Sequence, residues 1–200
     1  MEQRSEEWFQ ARLGKVTASR VADVLAKIKS GESASRRNYK IQLVSERLTG
    51  EKQETYVNQA MQDGIDREQF ARDRYVKQFG EVEEVGFVKH PTLEAGASPD
   101  GLVGTDGIIE IKCPMGSTHT ETLMTQEVPS KYVPQIQFQL LVTGRKWCDF
   151  VSYNPMFPEN LQVFVRRVFA NKEYQQELED EVKQFLKEVD DVISKLKEIE

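Results

Sequence analysis

Three ionisable residues near the middle of the chain have the types and the spacing of a hydrolytic metal site. Asp100 is followed, after nine intervening residues, by Glu110-Ile111-Lys112. Alternate residues of an extended strand share a face, so Glu110 and Lys112 lie together while Ile111 points away. If the chain reverses near residues 105–106, Asp100 lies opposite Glu110 or Ile111, within cross-strand reach. Two carboxylates and one lysine are therefore expected to meet in one patch.

Two clustered carboxylates repel each other unless a cation lies between them. Carboxylate oxygens select hard cations, here Mg²⁺ with Mn²⁺ as the second candidate. A cation held there polarises a phosphate and lowers the pKa of a bound water, and a second ion can stabilise the leaving oxygen. Lys112 would orient that water, and would accept its proton if its own pKa were depressed. The chemistry predicted for this patch is metal-assisted phosphodiester hydrolysis.

The tripeptide Glu-x-Lys is common, and taken alone it is better explained as an ordinary ion pair on a surface hairpin. Its setting favours the hydrolytic interpretation, because it follows Ser98-Pro99-Asp100-Gly101 and lies in the apolar stretch IIEIKC. Charged residues seldom occupy a buried strand without a partner.

A third carboxylate is expected on a helix over residues 61–79. Ala71, Tyr75 and Phe79 recur at helical spacing, and Glu68 lies three residues before Ala71 on the same face. An acid on a core-facing stripe needs a partner or a metal. The simpler alternative is that Glu68 pairs with Arg72 one turn later.

Polar residues that suit phosphate binding occur in two further segments. Gln135 lies on a predicted helix at 130–143, one turn before Gln139; their amides suit a phosphate or a ligand water, although exposed glutamines are the simpler explanation. Arg12 closes a first helix, and Ser19 lies where Thr17 is expected to cap a second, an arrangement that suits a phosphate.

The distribution of charge differs from what the net charge of −6 suggests. Residues 1–50 hold 10 basic and 6 acidic side chains, whereas residues 171–200 hold 5 basic and 10 acidic ones. Arg36 and Arg37 lie in a basic stretch at 29–40 that we expect to be an exposed loop, either contacting a nucleic-acid backbone or simply solvated.

Composition excludes several classes of protein. Two cysteines cannot build a disulfide framework or a four-thiolate cluster. The absence of a long apolar run or an apolar leader predicts a protein of a reducing cytoplasm, without a membrane span or a secretory signal.

The remaining periodicity predicts one α/β (α+β) domain over residues 1–200, with a central mixed sheet flanked by helices. Strands are expected at 82–89, in a hairpin around 105–107, at 148–154 and at 161–168. Helices are expected at 4–13, after Thr17 and at 39–49, in addition to those at 61–79 and 130–143. A long amphipathic helix over about 172–200 carries an apolar stripe suited to core packing or to a subunit contact.

Taken in order, these blocks resemble the phage lambda-type alkaline exonucleases and YqaJ-like viral recombinases. The similarity runs from Trp8–Ser19 through the helix bearing Gly64 and Glu68, and then through the blocks SPDG, EIKCP and QIQ. No block is specific alone, but together they span most of the chain in family order. The stretch at 29–40 departs from the lambda-type pattern.

The resemblance implies a restriction-endonuclease-like PD-(D/E)xK core and Mg²⁺-dependent, processive 5′→3′ digestion of linear double-stranded DNA. Mononucleotides and a 3′ single-stranded overhang would be the products. It further implies a ring-shaped homotrimer that accepts DNA ends, cooperation with a single-strand annealing recombinase, and action in the cytoplasm of a bacterial host.

By the same resemblance, each candidate residue receives a role. The metal ligands would be Glu68, Asp100, Glu110 and the carbonyl of Ile111. Lys112 would handle the water with the support of Gln135. Arg12 and Ser19, with Ser98, would hold the 5′-phosphate.

Two other functions fit the same residues. One is a different nuclease on this core, such as an endonuclease. The other is a non-catalytic DNA-end-binding or recombination-scaffold protein, which the full set of catalytic residue types disfavours.

Overall fold

A computed structural model describes residues 1–53 and 59–199 of the chain. Its α-helices are α1 (Glu6–Arg12), α2 (Val21–Leu25), α3 (Ala34–Thr49), α4 (Gln59–Phe79), α5 (Gly116–Thr125), α6 (Val133–Thr143) and α7 (Lys172–Lys197). Short 3-10 helices cover Ala18–Arg20, Ser130–Tyr132 and Glu159–Leu161. Each helix predicted from periodicity is present, although its ends are shifted. The last helix is predicted to reach about residue 200, and that residue lies outside the described part of the chain.

The strands form two sheets. They are β1 (Val16–Thr17), β2 (Val88–Lys89), β3 (Ala95–Ala97), β4 (Gly101–Val103), β5 (Gly107–Lys112), β6 (Trp147–Tyr153) and β7 (Val163–Phe169). One sheet has the order β1-β3-β2 and the other the order β4-β5-β6-β7. Both are mixed, because β1 runs parallel to β3 and β5 parallel to β6 while the other pairs are antiparallel. The predicted mixed sheet flanked by helices is confirmed, with a small second sheet that the sequence did not separate.

Strand β5 has a helix packed on each of its faces. Ile109 and Ile111 pack in the cluster that contains Ala71 and Tyr75 of α4. Ile108 packs on the opposite side, in the cluster that contains Ile136 and Leu140 of α6. The alternation predicted for this strand therefore holds, and the face that carries Glu110 and Lys112 is directed at α6.

The long helix α7 covers the part of the core that the small sheet leaves open. Leu178, Val182, Phe185 and Val189 are fully buried in a cluster with α2, α3 and β1. The predicted apolar stripe is thus core packing along most of its length. Its end is different, because Leu196 and Ile199 are exposed.

Two predictions about local structure are wrong. The strand expected at 82–89 is reduced to β2, and residue Glu83 contributes only an isolated bridge to Leu102. The loop expected at 29–40 is partly helical, since the hydroxyl of Ser33 accepts a hydrogen bond from the Arg36 amide and starts α3. The polar composition of residues 29–40 is typical of a loop, so the N-cap at Ser33 was not recognised from the sequence.

The expected helix start at Thr17 also differs. Thr17 makes no side-chain capping bond, and a 3-10 turn precedes α2. Across the two described ranges, no helix has both the length and the apolar character needed to cross a bilayer.

Candidate active site

The β4–β5 hairpin places Asp100 beside Glu110. Gly101 pairs with Ile109, and the Asp100 amide donates to the Ile109 carbonyl at 3.1 Å. Asp100 Oδ2 in turn accepts a hydrogen bond of 2.6 Å from the Ile111 amide. Gly101 is required here, because a Cβ at this position would lie 2.1 Å from a methyl carbon of Val82. The hairpin register therefore fixes the first carboxylate against the strand that carries the second.

Glu110 is held by two amides of α6. It is 2% exposed, and its Oε1 and Oε2 accept hydrogen bonds of 2.6 Å from Gln135 Nε2 and Gln139 Nε2. Gln139 is itself buried, and its Oε1 has no hydrogen-bond partner. The resemblance gave Gln139 no role, although its spacing of four residues from Gln135 had already paired the two amides.

Lys112 completes the patch on the same face of β5. Its Nζ lies 2.5 Å from Glu110 Oε1 and 3.4 Å from Gln135 Oε1, and 5.2 Å from the centre of the Tyr132 ring. Burial acts against a charge on Lys112, but the negative charges of Glu110 and Asp100 outweigh it and raise its pKa. Lys112 is thus an ammonium donor in this arrangement, whereas the proton-accepting role considered from the sequence needs a depressed pKa.

Negative charge is crowded around Asp100. Burial raises the pKa of Asp100 well above its usual value, and the nearby charges of Glu110 and Glu68 raise it further. Burial, with Glu68 and Asp100, likewise raises the pKa of the neighbouring Cys113 thiol to about 12. A cation close to these carboxylates would relieve the repulsion.

Glu68 lies across a small cleft from Asp100. Both line a cavity of about 190 Å³ together with residues of α4 and of the segment before α1. Glu68 Oε1 lies 3.3 Å from an Arg72 nitrogen, so the ion pair offered as the simpler alternative is present. Its other oxygen, Oε2, lies 2.6 Å from Arg4. Glu68 therefore faces the acidic patch while two arginines hold it.

The donor chemistry of this patch fits a hard divalent cation. The oxygens of Asp100, Glu110 and the Ile111 carbonyl lie next to the paired residues Gly101 and Ile109 of one hairpin, and the pKa of Asp100 is raised by burial and then by the charges of Glu110 and Glu68. Within the described ranges, however, no three His, Cys, Asp or Glu side chains are already arranged to hold a metal. In this arrangement the Glu110 and Glu68 carboxylates are engaged by Gln, Lys and Arg side chains.

A second polar pocket lies beside the C-terminal end of α1. Arg12 stacks 3.8 Å from the centre of the Trp8 ring and donates to Ser98 Oγ at 3.3 Å. Among the described residues, no carboxylate lies within ion-pair distance of Arg12. Burial accordingly lowers the pKa of Arg12 to about 10. Arg12 and the exposed Ser19 both line this pocket of about 220 Å³, which an anion would suit.

The two basic residues of the predicted loop have different surroundings. The Arg36 guanidinium is occupied by carboxylates, at 2.6 Å from Glu32 and at 2.7 and 2.8 Å from Glu188. Arg37 is exposed on the first turn of α3. Of the pair, Arg37 is the one whose side chain is directed to solvent.

A family model for the YqaJ-like viral recombinase domain matches residues 7–146. That span holds the hairpin carboxylates, Lys112, Glu68, the α6 amides and the Arg12 pocket. The chain belongs to the YqaJ-like viral recombinase family.

Solved structures agree with this family assignment. The chain is 49% identical to an alkaline exonuclease from Laribacter hongkongensis, with 96% of each chain covered and a TM-score of 0.89. The structure of that exonuclease in complex with dAMP gives a TM-score of 0.91 at the same identity and coverage. A phage-related exonuclease from Haemophilus somnus shares the fold, with a TM-score of 0.72, 14% identity, and 91% and 96% of the two chains covered. No curated protein sequence matches the chain.

The YqaJ-like assignment confirms the resemblance seen in the sequence and the restriction-endonuclease-like fold that it implies. Nucleases of this kind generally depend on a divalent metal. Arg4 and the C-terminal helix α7 lie outside the span matched by the family model. The contact between Arg4 and Glu68 carries no sequence signal, because 64 positions separate the two residues.

Proposed function

We propose that this YqaJ-like protein is a Mg²⁺-dependent, processive 5′→3′ exonuclease of linear double-stranded DNA. It releases 5′-mononucleotides and leaves 3′ single-stranded overhangs for recombination by strand annealing. The observation that carries the proposal is the convergence of Asp100, Glu110 and Lys112 at the end of the β4–β5 hairpin. The similarity to an alkaline exonuclease over nearly the whole chain supports it.

The residues of the hairpin divide the work. When bound, Mg²⁺ supplies Lewis-acid activation of water and phosphate, with Asp100, Glu110, the Ile111 carbonyl and Glu68 as its proposed ligands. Gln135 and Gln139 fix the Glu110 carboxylate from the side of α6. Lys112 donates hydrogen bonds from a fixed point, which suits the orientation of a water or the stabilisation of phosphate charge.

The Arg12 pocket supports the choice of the 5′ end. Ser98, which accepts the hydrogen bond from Arg12, lies only two residues before Asp100. A terminal 5′-phosphate held by Arg12, Ser19 and Ser98 would place the first phosphodiester near the carboxylates. We propose that Arg37 contacts the DNA backbone. Arg36 would do the same once it is released from Glu32 and Glu188.

Processivity requires that the enzyme stay on DNA between cuts. We propose that a homotrimeric ring surrounds the duplex. In each active site we propose two metal ions, and Mn²⁺ would be able to replace Mg²⁺. The single-strand annealing recombinase would take up the exposed 3′ strand. Leu196 near the end of α7 and Ile199, two residues beyond it, are exposed and available for a subunit contact.

Digestion of labelled DNA with defined ends tests the proposal. Linear duplexes with 5′-phosphate or 5′-hydroxyl ends are incubated with Mg²⁺ or with EDTA, beside a covalently closed circle. We expect Mg²⁺-dependent loss of linear DNA, faster from 5′-phosphate ends, and an intact circle. Attack on the closed circle would indicate an endonuclease, and DNA binding without hydrolysis would indicate a scaffold protein.

A further inference from the structure

The segment at residues 1–5 forms one wall of the acidic cleft. Gln3 Nε2 donates hydrogen bonds of 2.8 Å both to the Val85 carbonyl and to the carbonyl of Pro99, the residue before Asp100. Ser5 caps α1 by accepting from the Trp8 amide at 3.2 Å. Arg4 lies between these two anchored residues, so its backbone position is set from both sides.

Arg4 has a backbone conformation that its residue type rarely adopts. Its φ is +69°, in the left-handed region that favours glycine. This conformation directs the guanidinium across the cleft to Glu68 Oε2, at 2.6 Å. A strained residue that is over-determined by its neighbours, beside a site of clustered charge, is often part of a mechanism.

The two arginines that hold Glu68 are not equivalent. The Arg72 side chain is 11% exposed and also bridges to Glu84 at 2.5 Å, so it belongs to the wall of the cleft. The Arg4 side chain is 45% exposed and lies at the open side. Among the described residues, Arg4 is the one of the two that can leave Glu68 without breaking a second ion pair.

Arg4 and a metal ion would compete for the same carboxylate. Glu68 and Asp100 line one cleft, and a cation shared between them would need an oxygen of Glu68. The Arg4 guanidinium supplies the closer of the two positive charges at Glu68, at 2.6 Å against 3.3 Å for Arg72. Once it is displaced, the half-exposed guanidinium at the open side of the cleft is free to pair with the phosphate backbone of bound DNA.

We propose that Arg4 is a positioning residue that holds Glu68 until a divalent cation takes that carboxylate, and then pairs with the DNA backbone. The inference rests on the proposed function, because it requires Glu68 to take part in cation binding. It predicts opposite effects of one substitution. Loss of the guanidinium should strengthen cation binding to the free protein and weaken the binding of DNA.

The test measures cation and DNA affinity separately from turnover. Mn²⁺ binding to the DNA-free protein is followed by calorimetry, and duplex binding is followed by anisotropy with Ca²⁺ in place of Mg²⁺. Arg4→Gly removes the guanidinium and relieves the backbone strain, whereas Arg4→Ala removes it and keeps the strain. Lys27→Gln, which removes a charge from a surface ion pair with Glu181, is the matched control for net charge.

Both Arg4 variants should bind Mn²⁺ about three- to tenfold more tightly and duplex about three- to tenfold more weakly, as expected for one ion pair lost at each step. The slope of the logarithm of the DNA-binding constant against the logarithm of the salt concentration should fall by about one, the value for one lost phosphate contact. Lys27→Gln should change neither affinity by more than about twofold. Similar shifts for Arg4→Gly and Arg4→Ala, with higher thermal stability of the glycine variant, would separate the charge effect from strain.

Two results would overturn the inference while leaving the proposed function intact. One is Mn²⁺ affinity of Arg4→Gly equal to or weaker than that of the wild type. The other is unchanged DNA affinity in a variant that still hydrolyses DNA with Mg²⁺. Wild-type protein that neither binds Mn²⁺ nor hydrolyses DNA would instead refute the proposed function, and the role of Arg4 with it.

Discussion

The ammonium of Lys112 lies 2.5 Å from Glu110 Oε1, and both groups project from the same face of strand β5. Glu110 is almost fully buried, so this contact neutralises a carboxylate that would otherwise be costly at that depth. The same contact raises the pKa of Lys112 and keeps it charged. A lysine that neutralises the Glu110 charge and donates hydrogen bonds inside the site is expected to contribute to catalysis more than to DNA affinity.

Lys112→Met should therefore abolish turnover with little change in DNA affinity. The variant removes the only cation paired with Glu110 among the described residues, and one positioned donor of this kind contributes about 10²- to 10³-fold to kcat. The measurement is the initial rate of nucleotide release with Mg²⁺, beside duplex anisotropy with Ca²⁺. Lys146→Met, at an exposed ion pair with Asp106, is the control. Turnover at the wild-type rate would remove Lys112 from the mechanism.

Gln139→Leu should lower both activity and stability through Glu110. The substitution removes an orphaned acceptor, Gln139 Oε1, but leaves the buried Glu110 Oε2 without its donor. An unpaired buried acceptor costs about 1–3 kcal/mol, so a fall of several degrees in Tm is expected together with reduced kcat. Gln176→Leu, at an exposed position of α7, serves as the control for the loss of a helical amide. Unchanged kcat in Gln139→Leu would show that Glu110 needs no support from this position.

Arg12→Gln should erase the proposed preference for 5′-phosphorylated ends. Hydrogen bonds to charged groups are worth about 1.5–3 kcal/mol, so the rate advantage of 5′-phosphate over 5′-hydroxyl ends should fall by roughly ten- to a hundredfold. Digestion of 5′-hydroxyl ends should change little, because Arg12 has nothing to hold there. The comparison requires kcat/KM on both substrates for wild type and variant. A preference that survives the substitution would place the phosphate elsewhere.

Glu188→Gln should make stability less dependent on acid pH. Hydrogen bonds from Arg36, and from Lys40, lower the pKa of Glu188 to about 2 in spite of partial burial, from a usual value of 4.5. A carboxyl group whose pKa is lower in the folded protein stabilises the fold above pH 4.5, and this contribution is lost as the pH falls toward 2.

Urea unfolding at several pH values measures this contribution. At pH 7 the variant should be less stable by about 1–2 kcal/mol, and the difference should approach zero near pH 2. A difference that stays constant with pH would mean that the ion pairs joining α3 to α7 do not titrate as described. The loss of the Glu188 charge should also free Arg36 and raise the DNA affinity of the variant, so an unchanged DNA affinity would count against the proposed contact of Arg36 with the DNA backbone.

The centre of the site could be predicted from the sequence because it lies in one regular hairpin. Alternation along β5 is sufficient to separate Glu110 and Lys112 from Ile111, and the position of the turn brings Asp100 opposite them. The helical spacing of Gln135 and Gln139 then predicts that their two amides lie on one face of α6. These relationships are local in the chain, so they can be read from the periodicity of the sequence.

The periphery could not be predicted, for physical reasons that differ from place to place. Arg4 reaches Glu68 through a left-handed backbone and a long-range contact, neither of which leaves a periodic trace. The stretch before Lys40 has a loop-like composition, but tertiary ion pairs with Glu188 and a serine cap favour a helix. Residues 82–87 alternate like a strand, yet within that stretch the chain forms only one bridge, at Glu83.

The most direct test is the release of mononucleotides from a 5′-phosphorylated linear duplex in the presence of Mg²⁺, by wild type and by Lys112→Met. The wild type should release 5′-mononucleotides and lose the 5′-terminated strands first, whereas the variant, and the wild type in EDTA, should release none. Release that persists in the variant or without a divalent cation would contradict the proposed mechanism, as would the absence of release by the wild type.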